Sequence, residues 1–593
     1  IVSEKRKICR LIINKVASDV TALVRKKSFS TEVSTDQLRR CLRLFDVTAL
    51  SLGAMLGVGI YVTTGTVIHN TSGPSVIISY LLAGIASGLS AVCYAELCAR
   101  IPATGSAYQF TYFTLGEIWG FLVGWNVAFE HAVGAASGGR ALAEVIDEFS
   151  NHTIRNYMEK HVPLPGGILA SYPDFIGTAF MILCVGLVAS GIKSSSTGNI
   201  VLGSINIFVI LFIICAGLHY ADIRNWTEVK GGFFPYGFSG VLSGTAVLIF
   251  SYVGYEVVAS TTEESINPGR DVPLALLISL SIITVLYVLT SIAITLMVPW
   301  NKISVTAPFT NAFQQKGLNW AVYIVFIGLA TSVFTSTIAI FIVVPRYLFA
   351  MARDGLLWPI FHKVNERTKV PVFGTIVCGS LVILLDIFFS VSQLVEFLAI
   401  GQLFACTFVS ICVIRLRYEP YENQRFSTKR DDKRLSNFEE ENLLLEGLKN
   451  DHEAGLVKES ILISKFGSYF KWTQKYRPGQ VVFYSLIVAI AFISGEMFLL
   501  TYGSRYSETW WFIIISIILV TCTLLSLCFI LTFEQNTQGS GFKVPFVPFI
   551  PFLSIVINLW LMLNLHVMTW VRFGIWNVLG LLIYFLYSFS HSK

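Results

Sequence analysis

Long runs of apolar residues, separated by short polar segments, occupy most of the chain beyond residue 45. A helix needs about 20 apolar residues to cross the hydrocarbon core of a bilayer. Backbone groups in lipid must be bonded within their own segment, so runs of this length predict helices and not single strands. The pattern predicts fourteen membrane spans, at 46–68, 74–99, 116–144, 173–192, 198–219, 240–260, 273–298, 318–350, 371–390, 393–414, 479–503, 509–533, 545–567 and 570–590.

The overall composition supports a membrane protein. Of the 593 residues, 54% are hydrophobic and 13% are charged, and the mean hydropathy is +0.66. Soluble globular proteins carry about 25% charged residues. The net charge of +6 does not indicate a nucleic-acid partner, because the charges lie in the segments between the apolar runs. We therefore expect an all-α polytopic membrane protein that is embedded in a lipid bilayer and binds no nucleic acid.

The distribution of Lys and Arg predicts the orientation of the chain. Cytoplasmic segments of membrane proteins carry an excess of these residues near the helix ends. With the N-terminus inside, the inside-facing segments hold 34 of the 43 Lys and Arg residues. We expect both termini in the cytoplasm, with 1–45 as a tail and 415–478 as a long loop. No cleavable signal peptide is expected, because the N-terminal stretch lacks an apolar core and a cleavage site of small residues.

The predicted outside loops contain two N-glycosylation sequons, at Asn151 and Asn225. Such acceptors are modified in loops that face the secretory lumen, so both agree with the predicted orientation. The same loops contain none of the 11 cysteines. We therefore expect no extracellular disulfide bond.

Glycine-containing stretches interrupt two of the predicted spans. The first span contains GAMLGVG at 53–59, and the sixth contains FSYVGYE at 250–256. Close helix packing is one interpretation of the first stretch, since small residues let backbones approach. The other is an unwound helix whose free amides and carbonyls bind a ligand. Paired interruptions favour a transporter with inverted repeats, 46–219 and 240–414, followed by accessory helices within 479–590.

Several segments resemble known transporters. LRLFDVTALSLGAMLGVGIYVTTG, AELCARIPATGSAYQFTYFTLGEIWGFLVGWN and EESINPGRDVPLA are similar to the first helix, the loop between helices 2 and 3, and the end of helix 6 of the amino acid–polyamine–organocation superfamily. PRYLFAMARDGLLWPIFHKVNERTKVPV and the final GFKVPFVPFIPFLSIVINLWLMLNLHVMTWVRFGIW resemble its cationic amino acid transporter family. The resemblance covers about residues 40–590, except 415–478. It implies fourteen helices, a LeuT-type 5+5 inverted repeat plus four accessory helices.

The resemblance also implies where an amino acid would bind. Backbone groups at the first break would receive the α-carboxylate, and carbonyls at both breaks would hold the α-ammonium. Phe250 resembles the aromatic lid that covers the substrate in this superfamily. Val58 departs from the Ala, Ser or Thr that is frequent at its position, which would narrow the pocket. The positions implied are Met55, Leu56, Gly57, Val58, Gly59, Phe250, Ser251, Val253 and Gly254.

Acidic residues within the spans are candidates for binding the substrate side chain. A carboxylate within the membrane is costly and therefore indicates function. Glu130 lies in the middle of the third span and is expected to face the substrate. Glu256, directly after the sixth-span break, is expected to act at an intracellular gate. Arg140 and Glu144 are expected to form a buried ion pair, and Glu117 to lie at the membrane interface.

Position 206 in the fifth span bears on the driving force of transport. Bacterial relatives carry a Lys there, and the resemblance places Asn206 at the same position. An amide cannot titrate, so we expect sodium- and proton-independent uniport of arginine, lysine and ornithine, driven by the membrane potential. Glu130 remains a second position at which a proton could be carried. The resemblance assigns Thr335 and Ser336 of the eighth span, with Asn206 and Glu256, to coupling or gating.

Other carriers and sensors remain as alternatives. The nearest is a carrier of neutral or broad-range amino acids or of polyamines, and another is a carrier-fold nutrient sensor that signals through 415–478. A sensor that no longer transports would be expected to lose the glycines at the breaks, which are intact. The light chains of heteromeric transporters bond a heavy chain through a Cys between helices 3 and 4. Because 145–171 contains no Cys, we expect no disulfide-linked partner.

An enzyme is the least favoured class. The sequence contains no HExxH motif, no spaced set of metal ligands and no nucleophile elbow. We therefore expect neither a cofactor nor a metal, and a carrier whose location is the plasma membrane.

Overall fold

The computed structural model describes residues 42–57, 59–101, 105–150, 152–165, 169–190, 196–229, 231–260, 262, 265–365, 371–419, 479–503, 509–536 and 541–591. These ranges are mostly helical, and their only β pairing is an isolated parallel bridge between Leu42 and Ser265. The predicted all-α fold is confirmed. Most of the predicted N-terminal tail and of the loop 415–478 lies outside the described residues.

Nine helical stretches of the described chain are long and apolar enough to cross a membrane, at Leu44–Arg100, Val201–His219, Gly237–Ser260, Pro268–Met297, Asn319–Arg353, Val391–Arg417, Gln480–Tyr502, Trp510–Ile530 and Val567–His591. Shorter apolar helices are Phe175–Ala189, Val372–Phe388 and Phe549–Leu563. The protein is therefore a multi-pass membrane protein, as predicted. Leu44–Arg100 contains two of the predicted spans. The three shorter helices have fewer residues than the length usually needed to cross a bilayer. The count of fourteen stays a prediction.

The first predicted half contains seven main helices. They are α1, Leu44–Met55; α2, Val76–Arg100; α3, Ser106–Thr114; α4, Glu117–Phe149; α5, Thr153–His161; α6, Phe175–Ala189; and α7, Ser196–His219. The second half contains α8, Gly237–Leu248; α9, Tyr255–Ser260; α10, Pro268–Met297; α11, Pro308–Gln315; α12, Asn319–Arg353; α13, Val372–Phe388; and α14, Val391–Arg417. The C-terminal part contains α15, Gln480–Tyr502; α16, Trp510–Ile530; α17, Phe549–Leu563; and α18, Val567–Ile583.

The helices of the two halves pack against each other in a repeated pattern. α2 lies along α10, and α6 lies along α13. α7 packs on α10 and α12, and correspondingly α14 packs on α2 and α4. The short helices α3 and α11 precede α4 and α12, and each packs on the helix that follows it. Of the C-terminal helices, α15 and α16 pack together, α17 lies on α2 and α14, and α18 lies on α4 and α14.

A buried ion network joins the ends of α2 and α14 to the segment before α17. Arg417 donates to the two carboxylate oxygens of Glu96 at 2.7 and 2.8 Å, and Arg100 lies 2.8 Å from the same carboxylate. The backbone N–H of Val544 also donates to Glu96 at 2.7 Å, and Arg417 donates to the Val544 carbonyl at 3.1 Å. A buried charge is tolerated only when it is paired and hydrogen-bonded. The network therefore attaches the C-terminal part firmly to the two halves.

The predicted ion pair within α4 is present. Arg140 Nε lies 3.8 Å from Glu144 Oε1, and the guanidinium also donates to the Tyr172 carbonyl at 3.2 Å. Glu117, which we expected at the membrane interface, is only 1% exposed and accepts a hydrogen bond from Tyr584 at 3.0 Å. Tyr584 begins a π-helical turn directly after α18, so this turn covers the start of α4.

Candidate functional site

The first break separates α1 from the rest of the first predicted span. α1 ends at Met55, and Leu56 has φ −73° and ψ 75°, which lie outside the helical region. Helical structure begins again at Gly59, with a π-helical turn over Gly59–Thr63. Val58 lies outside the described residues. An interruption therefore occurs where the glycine-rich stretch predicts one.

The second break separates α8 from α9. A 3-10 turn covers Ile249–Tyr252, and Val253 after it is extended, with φ −60° and ψ 137°. Gly254 has φ 124°, a conformation that residues with a Cβ rarely adopt. Its N–H donates to Glu256 at 3.0 Å from Oε1 and 3.1 Å from Oε2. The carboxylate thus caps the start of α9 and satisfies an amide that the break leaves free.

The two breaks lie in direct contact with each other. A Cβ on Gly59 would lie 2.5 Å from the Cα of Ser251, and a Cβ on Gly254 would lie 2.8 Å from the carbonyl carbon of Ala54. Both distances are shorter than van der Waals contact, so only glycine permits this approach. The hydroxyl oxygens of Thr63 and Ser251 lie 3.0 Å apart across the contact.

Side chains from α10 and α12 bind the carbonyls that the breaks expose. The hydroxyl of Tyr287 lies 2.7 Å from the Met55 oxygen and 2.9 Å from the Ser251 oxygen. Because a hydroxyl has one proton, it can donate to only one of these carbonyls at a time. Ser332 donates to the Leu56 carbonyl at 2.6 Å. Neither side chain can be predicted from the sequence as part of the site, since a Tyr or Ser within a span has no distinguishing pattern.

The breaks, together with α4, α12 and α14, border a small cavity of about 60 Å³. Ligand pockets for small molecules typically have about 300–1,000 Å³, so this cavity must widen before it encloses a ligand. A Cβ on Gly57 would meet no atom closer than Ser336 Cβ at 3.9 Å, so this glycine leaves space open on the cavity side. The sequence-predicted residues that line the cavity are Met55, Gly57, Gly59, Phe250, Ser251, Val253, Gly254, Glu256 and Ser336.

Glu130 and Leu56 do not line this cavity. Leu56 is fully buried and takes part through its carbonyl. Glu130 is also fully buried. Its side chain packs against Gly401, where an added Cβ would lie 3.3 Å from the Cβ of Glu130. Neither carboxylate oxygen of Glu130 has a hydrogen-bond partner among the described residues. Its position as a substrate-facing group stays a prediction.

His131, the residue after Glu130, does line the cavity. Its Nδ1 lies 2.9 Å from the Val127 carbonyl, and its Nε2 lies 3.8 Å from Glu256 Oε1. The ring stands edge-on to Tyr347, with the ring centroids 5.8 Å apart. His131 was not among the predicted site residues, although an ionisable residue in the middle of a span is a signal of function.

Of the predicted coupling residues, Ser336 and Glu256 line the cavity, whereas Asn206 and Thr335 do not. Asn206 is fully buried, and its side-chain oxygen accepts from Thr331 at 3.2 Å. Its Nδ2 has no partner among the described residues. Thr335 donates to the Thr331 carbonyl at 2.7 Å. α12 therefore connects Asn206 on α7 with the cavity wall.

Of the two predicted glycosylation sites, only Asn225 is among the described residues. Asn151 lies outside the described residues. The side-chain Nδ2 of Asn225, the atom that a glycan would occupy, donates to the Leu296 carbonyl at 2.6 Å. Glycosylation at Asn225 would require this bond to open.

The arrangement suits a ligand that carries both a cation and an anion. Carbonyls at the C-terminal end of α1 lack partners within the helix and carry partial negative charge, which favours an ammonium group. Amides at the start of a helix favour a carboxylate. Among the described residues, no group of three or more His, Cys, Asp or Glu side chains could hold a metal ion.

Comparison with known proteins gives one consistent family. The model of the amino acid permease family matches residues 42–435, and the model of the permease C-terminus matches residues 542–592. The chain is 39% identical to cationic amino acid transporter 4 of Homo sapiens and 38% identical to that of Mus musculus, in each case over 96% of this chain and 90% of the relative. It is 33% identical to the vacuolar cationic amino acid transporter 4 of Arabidopsis thaliana, over 97% of this chain and 96% of the relative.

Proposed function

The chain belongs to the amino acid permease family, and we propose that it carries arginine, lysine and ornithine across a membrane by alternating access. The observation that carries this proposal is the contact between two broken helices at one cavity. The cavity presents backbone groups of both signs together with the carboxylate of Glu256. The names of the relatives, which are cationic amino acid transporters, support the substrate class.

The proposed binding mode divides the substrate between the two breaks. Backbone amides around residues 57–59 receive the α-carboxylate, and carbonyls of residues 55–59, Phe250, Ser251 and Val253 hold the α-ammonium. Phe250 is 7% exposed and lines the cavity, as a lid over the substrate should. Gly59 and Gly254 are required because each permits an approach between backbones that a side chain would block.

We also propose the complete architecture of fourteen spans, a LeuT-type 5+5 inverted repeat of 46–219 and 240–414 with four accessory helices. The repeated packing of corresponding helices supports this, because a two-fold relation between halves would pair α2 with α10 and α6 with α13. The same relation would make the contact of α7 with α12 equivalent to that of α14 with α4. The site lies where such a relation brings the first helix of each half together.

The remaining parts of the proposal concern coupling and location. Asn206 cannot carry a proton, so transport is sodium-independent uniport, with Thr335 and Ser336 as gate or coupling residues on α12. Both termini are cytoplasmic, Asn151 is glycosylated, and no disulfide-linked heavy chain is required. The carrier works at the plasma membrane. The Arabidopsis relative is named as vacuolar, so membrane fractionation of the tagged chain is the check on this location.

Uptake of a panel of substrates tests the function. The purified full chain in proteoliposomes should take up labelled arginine and lysine about tenfold faster than leucine or putrescine. A negative-inside potential should increase the uptake of both cationic amino acids. Equal rates for leucine, or faster uptake of putrescine, would favour a carrier of broader or different specificity. No uptake of any substrate above protein-free liposomes would favour a sensor.

A further inference from the structure

An unbonded ring nitrogen of His131 lies next to Glu256 in the cavity wall. Both side chains are nearly inaccessible to solvent, with 3% and 2% of their surface exposed, and both line the cavity. The Val127 carbonyl can only accept a hydrogen bond, so Nδ1 of His131, 2.9 Å away, must carry the proton. In the neutral imidazole, Nε2 is then a bare acceptor. Nε2 has no hydrogen-bond partner among the described residues.

Glu256 presents a second acceptor at the same point. The Gly254 N–H bonds to both oxygens of this carboxylate, and an ionised carboxylate has about four lone-pair sites, so it can accept a further donor. Its Oε1 lies 3.8 Å from Nε2 of His131. This distance is too long for a hydrogen bond between them. An acceptor without a partner, Nε2 of His131, therefore lies beside a carboxylate that can accept a further hydrogen bond, and both are in the cavity wall.

We propose that His131 is a further binding residue, which with Glu256 holds the cationic end of the substrate side chain. An ammonium or guanidinium group has several N–H donors and no acceptor, and it can donate to Nε2 and to the carboxylate together. This inference rests on the proposed function, because it identifies what in that site distinguishes a cationic side chain from a neutral one. It gives His131 a direct role in charge selection.

Two substitutions of His131 distinguish the role of Nδ1 from the role of Nε2. His131→Asn keeps a donor near Nδ1, which can still reach the Val127 carbonyl, but places no acceptor near Nε2. His131→Gln places an acceptor near Nε2. Tyr347→Phe is a matched control, since it removes a buried hydroxyl next to the ring and leaves both acceptors in place.

The measurement compares arginine with citrulline, which has nearly the same shape and no charge. Both compete against labelled lysine uptake by the full chain in proteoliposomes at zero membrane potential. The wild type should prefer arginine, so its inhibition constant for citrulline should be larger than that for arginine. His131→Asn should reduce this ratio, citrulline over arginine, about tenfold. His131→Gln and Tyr347→Phe should keep the ratio within about threefold of the wild type.

The outcomes distinguish this inference from the proposed function. A wild type that does not prefer arginine over citrulline contradicts cationic transport itself. A wild-type preference that is unchanged in His131→Asn overturns the role of His131 alone. Equal weakening of arginine and citrulline by His131→Asn also overturns it, because the residue would then support the fold of the cavity without selecting charge.

Discussion

At the scale of single residues, the angular position of a residue around its helix determines whether its side chain faces the cavity. Glu130 and His131 are neighbours in the sequence, and successive residues of an α-helix point about 100° apart. His131 lines the cavity, whereas Glu130 is turned toward Gly401 on α14. Glu130 is nevertheless one residue from the cavity wall and has no bonded partner among the described residues. An ionised carboxylate there would require a nearby cation.

We therefore expect Glu130→Gln to weaken arginine uptake about tenfold while it changes leucine uptake by less than about twofold. The reason is that a cationic substrate would offset the charge of Glu130, which leucine cannot do. The measurement is the concentration of each amino acid that gives half-maximal uptake in proteoliposomes.

Glu144→Gln is the control for this substitution, because Glu144 lies on the same helix in an ion pair with Arg140 and not in the cavity wall. It should affect both amino acids alike. Equal losses of arginine and leucine uptake in Glu130→Gln would show that Glu130 is structural or carries a proton.

At the scale of elements, the broken helices are held in place by close contact and by hydroxyl groups from other helices. Gly59 and Gly254 allow the breaks to touch, and Tyr287 and Ser332 bond the carbonyls that the breaks expose. A buried carbonyl without a partner would cost about 1–3 kcal/mol. The break therefore persists because the surrounding helices satisfy part of its backbone and leave the cavity side free.

The substitution Gly57→Leu tests the open side of the first break. The added side chain would extend into the cavity, since the nearest atom to a Cβ is 3.9 Å away, and would block the approach of a carboxylate to the backbone. We expect uptake to fall about a hundredfold or more, with little change in the thermal stability of the purified protein.

Gly186→Leu on α6 is the matched control, because Gly186 is exposed and a Cβ there would meet no atom within 4 Å. It should leave both uptake and thermal stability nearly unchanged. Normal uptake by a well-folded Gly57→Leu protein would show that the substrate does not bind at this break.

At the scale of the whole molecule, the proposed driving force rests on the charge of the substrate and on the amide of Asn206, which cannot titrate. A monovalent cation gains about 2.3 kcal/mol per 100 mV of membrane potential. Since 1.4 kcal/mol corresponds to a factor of ten, voltage alone supports a gradient of nearly fifty-fold.

We expect arginine uptake at a clamped voltage to be unaffected by an imposed sodium or proton gradient, and to rise steeply when the inside is made negative. The measurement is initial uptake in proteoliposomes with potassium and valinomycin to set the potential. Leucine provides the control, because a neutral substrate carried alone should not respond to voltage. A several-fold rise of arginine uptake on an inward proton gradient would point to Glu130, or to another buried acid, as a coupling site.

The sequence by itself determined the membrane class, the helical fold and the two breaks. Lipid forces backbone groups to bond within each segment, so apolar length predicts helices without knowledge of their neighbours. The positive φ of Gly254 is likewise a local property of glycine. The sequence also predicted the ion pair of Arg140 and Glu144, because residues four apart lie on the same face of a helix.

Only the tertiary structure decided which side chains from distant helices complete the site. Tyr287 and Ser332 bond the first break from more than 230 residues away in the chain, and His131 faces Glu256 from another helix. Glu117 is buried by Tyr584 of the last segment. These contacts depend on how helices rotate and pack against each other, and a nearly uniform apolar sequence carries little periodicity from which that rotation can be read.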